Sequence, residues 1–270
     1  MHAHRKPLSF PAGIEIRGLR LLNLALDDAV AAIESAVLAG TPTRVAFVNA
    51  DCVNIAARDT AYRERLAAMD WVFADGIGMR IAGRLLKQPV RDNVNGTDLF
   101  PRLCAALSLH GRSLYLLGGR PGVARAAAVW ANTHYPALRI AGACHGYFGG
   151  EQTGQVVADI RRSRPDVLLV AMGVPVQEDW IGRNAASTGA TVTVGVGGLF
   201  DYYSGRIPRA PAWMRRCGLE WVFRLIQEPS RLWRRYLVGN LVFLARIGRD
   251  RLAGSTTNTA SPPGACHEKA

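Results

Sequence analysis

The chain has 270 residues, 49% of them apolar and 20% charged, the composition of a globular protein with a sizeable core rather than of a disordered chain. Its net charge of +12 is uneven: residues 206–251 carry eleven Arg against Glu220, Glu228 and Asp250, a local excess of +8 that implies an anionic partner (nucleic acid, anionic lipid or a phosphorylated substrate). Five scattered Cys without a CxxC pair and six His without HxxxH or HExxH spacing give a metal site no support, and the default is a reducing compartment. Met1–Phe10 is basic but lacks the apolar centre of a signal peptide, and no run approaches the roughly 20 apolar residues that span a bilayer.

Residues 14–24 alternate weakly and predict a small β element. Asp27–Leu38 has apolar positions at helical spacing and stops at Gly40. Arg44–Ala50, RVAFVNA, predicts a buried strand ending in Asn49 and then Asp51; a helical pair follows over Val53–Arg58 and Thr60–Met69. A second strand, Trp71–Ala74, delivers Asp75-Gly-Ile-Gly78, and the helix Met79–Leu86 is closed by Pro89. Turn-rich DNVNGTD (92–98) leads into a helix over Leu99–His110. Ser113–Leu117 predicts a third strand, feeding Gly118-Gly119-Arg120-Pro121-Gly122 and the helix Val123–Tyr135; Leu138–Ala143 predicts a fourth, and Gln155–Ser163 a helix. Two further apolar, β-branched runs, Val167–Ala171 and Thr191–Val196, flank the helix Val176–Ala186. Each runs into glycine, Gly173 after the first and Gly195, Gly197 and Gly198 after the second. Strands alternating with helices over short loops predict an α/β fold with a doubly wound, mostly parallel sheet. Its Gly-rich turns would present backbone N–H groups to a ligand at the carboxyl edge.

After Pro211 the pattern changes. Trp213–Gln227 and Pro229–Ile247 predict two basic amphipathic helices broken at Pro229, with Trp213, Trp221, Phe223, Trp233, Tyr236 and Phe243 interleaved among arginines. The organisation expected is a flexible N-terminus (1–13), an α/β core (14–205), a helical arm (206–252) and a disordered, Ser/Thr/Pro/Gly-rich tail (253–270).

Several residues stand where chemistry is done. Asp75, at the end of a strand, can act as a general base; the plainer reading is that it caps the helix Ile77–Leu86. Leu117-Gly-Gly-Arg-Pro-Gly122 is a strand–turn–helix with Pro near the first helical position, so Gly118 and Gly119 either cradle a phosphate or only make a tight turn. Gly195–Gly198 is GxGG, neither a dinucleotide fingerprint nor a Walker loop. Asp201 either accepts hydrogen bonds from a base or ribose or is a solvated turn residue. No DxD pair is present for Mg²⁺ or Mn²⁺, so a diphosphate would be neutralised by Arg224, Arg231 and Arg234, whose alternative is a solvated basic face.

Taken in order, FVNADCVN (47–54), ADGIG (74–78), NGTD (95–98), LLGGRPGVA (116–124), HGYF (145–148), MGVPVQEDW (172–180), GVGGLFD (195–201) and GRIPRAPAWMRRCGLEWVFRLIQEPSRLWRR (205–235) resemble the WecG/TagA/CpsF glycosyltransferases over roughly residues 14–249. The resemblance implies a Rossmann-like, GT-E-like core with its C-terminal appendage. It also implies transfer of a hexose from a UDP-sugar to a polyprenyl-diphosphate-linked sugar, with inversion and with neither metal nor cofactor. The enzyme would be peripheral on the cytoplasmic face of the cell membrane and build an exopolysaccharide, capsule or teichoic-acid-type glycan. Asp75 is then the base that deprotonates the acceptor hydroxyl, and Asn49 and Gln177 line the sugar site with Phe47, Asn93 and Asn95. Gly118, Gly119, Gly173, Gly197, Gly198 and Asp201 hold UDP, and Arg224, Arg231 and Arg234 close over the diphosphate. Two departures matter: many members carry Thr where this chain has Phe47 and Arg where it has Asn93, so the donor is expected among N-acetylmannosamine, its uronic acid, glucuronic acid and glucose types. The oligomeric state is left open, with apolar surface on the arm able to pair subunits when no membrane is present. The rival readings are a nicotinamide-type oxidoreductase, which lacks GxGxxG with a following acid, and a nucleic-acid-binding module built on the basic arm.

Overall fold

A computed structural model describes residue 10 and residues 13–252; the expectations for the rest of the N-terminus and for 253–270 lie outside the described residues. A small antiparallel hairpin, β1 (Ile14–Ile16) and β2 (Leu19–Leu21), opens the chain. Then come α1 (Leu26–Ala39), β3 (Thr43–Val48), α2 (Ala50–Ala56), α3 (Thr60–Ala67), β4 (Trp71–Ala74), α4 (Ile77–Leu85) and α5 (Gly96–Leu109). The second half runs β5 (Ser113–Gly118), α6 (Val123–His134), β6 (Arg139–Cys144), α7 (Gly150–Ser163), β7 (Val167–Ala171), α8 (Val176–Thr188) and β8 (Val192–Gly195). Strands β3–β8 form one sheet in the order β4-β3-β8-β7-β5-β6, every pair parallel. The expected doubly wound α/β architecture is therefore present.

Residue alternation along the strands explains why helices must cover both faces. Val45, Phe47, Phe73, Leu114, Leu116, Val167, Leu169, Val192 and Val194 point to one face, packed against α1, α5 and α6. Ala46, Val48, Val72, Ala74, Leu117, Leu168 and Val170 point to the other, packed against α2, α3, α4 and α8. Parallel strands buried on both sides read as continuous apolar runs, which is why Trp71–Ala74 and Val167–Ala171 are found at their predicted limits.

The C-terminal segment departs from expectation in detail. A short helix, α9 (Leu199–Tyr203), follows β8, an element not predicted from the sequence. The helix predicted over Trp213–Gln227 is two, α10 (Ala212–Arg216) and α11 (Glu220–Gln227), because Gly218 takes a left-handed φ of 72° against the Ile77 side chain. The break at Pro229 is present, Pro229 serving as the first residue of α12 (Pro229–Trp233). From there the helix runs on through a π-helical turn, Arg234–Val238, into α13 (Gly239–Leu252). Phe243 and Ile247 of α13 are fully buried in the second face of the core, where Phe243 meets Gly78 of α4. Asn54 of α2 donates to Gly239 O at 2.8 Å and Arg246 to Asn54 Oδ1 at 2.8 Å. Among the described residues no helix is long and apolar enough to cross a membrane.

Candidate active site

A cavity of about 250 Å³ opens over the carboxyl ends of β4, β3 and β8 and is roofed by residues of α10, α11, the π turn and α13. The sheet edge supplies the floor because a parallel strand leaves its last carbonyls and the following loop pointing the same way as its neighbours do.

Asp75 follows β4, its N–H still donating to Val48 O at 2.8 Å, so the ladder aims its side chain into the cavity. It does not cap α4: the cap is Gly76 at φ 89°, and no side chain accepts the helix N–H groups. Burial, reinforced by the Glu220 carboxylate, pushes the Asp75 carboxyl up to about 6, while Arg235, Arg224 and the Asn49 amide pull it down. A carboxylate held near neutrality is what general-base work at physiological pH needs.

The other expected residues divide into two groups. Asn49, Phe47, Asn93, Asn95, Gln177, Gly173, Gly197, Gly198 and Arg224 line the same cavity as Asp75. Several are already engaged by their own backbone. Asn49 Oδ1 caps α2 through the N–H groups of Asp51 (3.0 Å) and Cys52 (3.2 Å). Asn93 Oδ1 accepts from Gly76 N at 2.5 Å and so holds the turn that carries Asp75. Asn95 caps α5 and also donates to Asp98 Oδ2 at 2.8 Å. Gln177, 2% exposed, accepts from Gly197 N at 2.8 Å and donates to Glu178 Oε1 at 2.8 Å, clamping the glycine-rich loop after β8. Phe47 packs against Phe73 at 5.9 Å between ring centroids and gives the floor an apolar patch. Arg224 sits over the loop: a Cβ on Gly198 would lie 2.7 Å from its guanidinium, and the guanidinium carbon stands 5.4 Å from the Tyr202 ring centroid.

Gly118, Gly119, Asp201, Arg231 and Arg234 are not among the residues lining the cavity. Gly118 is pressed against the backbone of Ala171, where no side chain fits, and Gly119 N donates to Ala171 O at 2.8 Å; the tight-turn reading accounts for both. Pro121 precedes the Gly122 cap of α6 rather than opening the helix. Asp201 lies on α9 and pairs with Arg206 at 2.7 Å. Arg231 pairs with Glu228 at 2.5 Å, and Arg234 stands over Trp233 at 5.3 Å, both outside the cavity.

Sequence reasoning missed Arg235, Glu220, Tyr202, Trp221, Tyr236 and Asn240, all of which line the cavity. Glu220 is held by Arg209, at 3.4 Å, and Arg209 by Asp98 at 2.5 Å, which ties the arm to α5. The alternation of Arg with Trp and Tyr was the available signal, but it could not say which arginine turns inward. The raised Asp75 carboxyl, the guanidinium groups of Arg224 and Arg235, and a glycine-rich loop that Gln177 holds in place form a site suited to displacement of an anionic leaving group.

The sequence matches the model of the "Glycosyl transferase WecG/TagA/CpsF family" over residues 14–257. It is 33% identical over 193 residues to an N-acetylglucosaminyldiphosphoundecaprenol N-acetyl-β-D-mannosaminyltransferase of Bacillus subtilis, covering 72% of this chain and 74% of that protein. A protein of the same description from Staphylococcus aureus (strain MW2) is 30% identical over 241 residues, 88% of this chain and 93% of the other. The family match spans the whole sheet and the arm that roofs the cavity, and on that ground the chain belongs to the WecG/TagA/CpsF family of glycosyl transferases.

Proposed function

We propose that the protein transfers a hexose from a UDP-sugar to a sugar carried on a polyprenyl diphosphate, inverting the anomeric centre and using no metal ion. One observation carries the reading: Asp75, raised to about 6, shares its cavity with Arg224 and the Gly197–Gly198 loop. Asp75 accepts the proton of the acceptor hydroxyl as that oxygen attacks the anomeric carbon from the face opposite the leaving group. The bond from the anomeric carbon to the UDP oxygen breaks, and UDP leaves with the electron pair. Arg224, over the Gly197–Gly198 loop, meets the charge that develops on the diphosphate, the role a divalent cation plays in other sugar-nucleotide transferases. The described relatives act, by name, on N-acetylglucosaminyl-diphosphoundecaprenol and transfer N-acetylmannosamine, which supports a lipid-linked acceptor here. Phe47 and Asn93 stand beside the base in positions that select the donor among N-acetylmannosamine, its uronic acid, glucuronic acid and glucose.

The arm also supports a peripheral seat on the inner face of the cell membrane. Trp213, Ile226, Leu237, Leu241 and Val242 are exposed beside Arg216, Arg231 and Arg249, an amphipathic surface that anionic lipid favours by about 1 kcal/mol per basic residue near the interface. The test is UDP release from a panel of UDP-sugars with a short-chain polyprenyl-diphosphate glycan in EDTA. Acceptor-dependent release with one donor names the sugar. Release only after Mn²⁺ is added refutes the metal-free chemistry, and the absence of release with every donor refutes the reading.

A further inference from the structure

We propose that Arg235 is a second anion-binding residue of the cavity and that it holds the diphosphate of the acceptor, leaving the donor diphosphate to Arg224. The inference deepens the transferase reading above and rests on it. Three arginines line the cavity: Arg215, Arg224 and Arg235. Arg215 is occupied elsewhere, its Nε donating to Ala210 O at 3.2 Å and its Nη1 standing 3.6 Å from Asp98. Arg224 stands over Gly198 and Tyr202, at the β8 side of the mouth. Arg235 stands on the other side: its Nε lies 3.1 Å from Asp51 Oδ2, in the first turn of α2, immediately after β3. In the sheet β3 separates β8 from β4, so Arg235 covers the half of the mouth that holds Asp75. Of the two cations, it is also the one that draws Asp75 down more strongly.

The local backbone explains how Arg235 comes to point inward. It is the second residue of the π turn Arg234–Val238, and the extra residue in that turn shifts the helix phase. The turn is fixed at its far end, where Asn54 donates to Gly239 O and α13 locks into the core through Phe243. Arg234 is thereby left over Trp233, and Arg235 enters the cavity. An ion pair through Nε leaves the terminal N–H groups of a guanidinium for a second anion, the forked geometry that matches phosphate oxygens. An acceptor whose hydroxyl reaches Asp75 brings its own diphosphate to the same half of the site, where Asp51, Asp75 and Glu220 already concentrate negative charge. Without a cation there, that diphosphate would be repelled. Asp51 acts as a positioning residue, fixing the guanidinium rather than touching substrate.

The experiment compares two acceptors that carry the same sugar and the same short lipid. One is joined through a diphosphate and the other directly, as an alkyl glycoside. The full-length protein is assayed as wild type, Arg235→Gln and Arg235→Lys, and the readout is the ratio of kcat/KM for the two acceptors. That ratio cancels any effect on Asp75 common to both. Wild type is expected to prefer the diphosphate acceptor. Arg235→Gln should lose about tenfold or more of that preference, the size of a lost charge-assisted contact, with UDP affinity unchanged. Arg235→Lys, which keeps the charge without the fork, should fall between. An unchanged ratio in Arg235→Gln overturns the inference, as does a loss of UDP affinity of similar size, which would move Arg235 to the donor. A wild type that transfers to neither acceptor refutes the transferase reading itself and removes the basis of the inference.

Discussion

Replacing Asp75 with Asn should stabilise the fold while abolishing turnover. The carboxyl is moved from 3.8 to about 6, chiefly by burial, so the folded protein favours its protonated form more than the unfolded chain does. Below pH 3.8 both states hold the proton and Asp75 costs nothing. Between pH 3.8 and about 6 the unfolded chain gives up its proton while the folded one keeps it, so stability falls across that window and the loss is complete once the pH passes about 6. At about 1.36 kcal/mol per unit, the cost at pH 8 is about 3 kcal/mol, and it shrinks below about 1 kcal/mol near pH 4. Asn removes the charge and keeps the shape. Thermal unfolding of wild type and Asp75→Asn across pH 4–8 should show the variant's Tm above that of wild type at pH 8, by roughly 2–4 °C per kcal/mol, with the gap closing toward pH 4. A variant no more stable than wild type at pH 8, or a gap that does not change with pH, would refute the claim that Asp75 is a strained, near-neutral acid.

Three further outcomes follow from the same geometry. The acidic limb of kcat/KM in the wild-type enzyme should have an apparent midpoint near 6, so activity falls about tenfold from pH 7 to pH 5; a flat profile over that range removes Asp75 as the base. Phe243→Ala, which empties a fully buried position between α13 and α4, should cost about 3–5 kcal/mol in denaturant melts, and a loss below about 1 kcal/mol would mean that α13 is not part of the core. The double variant Ile226→Glu and Leu241→Glu, at two exposed apolar positions of the arm, should release the protein from anionic liposomes while transfer to a water-soluble acceptor persists; retained liposome binding would remove these residues from the membrane surface.

How far the sequence reveals this molecule depends on how local the cause is. Trp71–Ala74 is legible because burial on both faces selects four apolar residues in a row, and Asp75 with it because the first polar residue after such a run must emerge at the sheet edge. Asn49 and Gln177 are legible as cavity residues but not as the clamps they form, since those partners, the α2 N–H groups and Gly197, appear only when the chain folds back. Gly118 and Gly119 look like a phosphate cradle because a close approach to Ala171 and a close approach to a ligand make the same demand, the absence of a Cβ. Arg231 and Arg234 are three residues apart, the spacing of one helical face, and a regular helix would keep them together. Both do lie together outside the cavity, and Arg235 is the one that enters it, because spacing says which residues share a face but not which way the docked arm turns that face.

The burial of Phe243 and Ile247 has a consequence for how the protein is made. Synthesis runs from the N-terminus, so all eight strands and the helices α1–α9 exist before α13 does. Until Phe243 arrives, the groove between α2 and α4, lined by Ala50, Val53 and Met79, is an uncovered oily seam on an otherwise finished sheet. The nascent protein therefore has neither a complete core nor a roof over Asp75. Docking of the π turn and α13 therefore completes two things together, the core through Phe243 and Ile247 and the roof over Asp75 through Arg235, Tyr236 and Asn240.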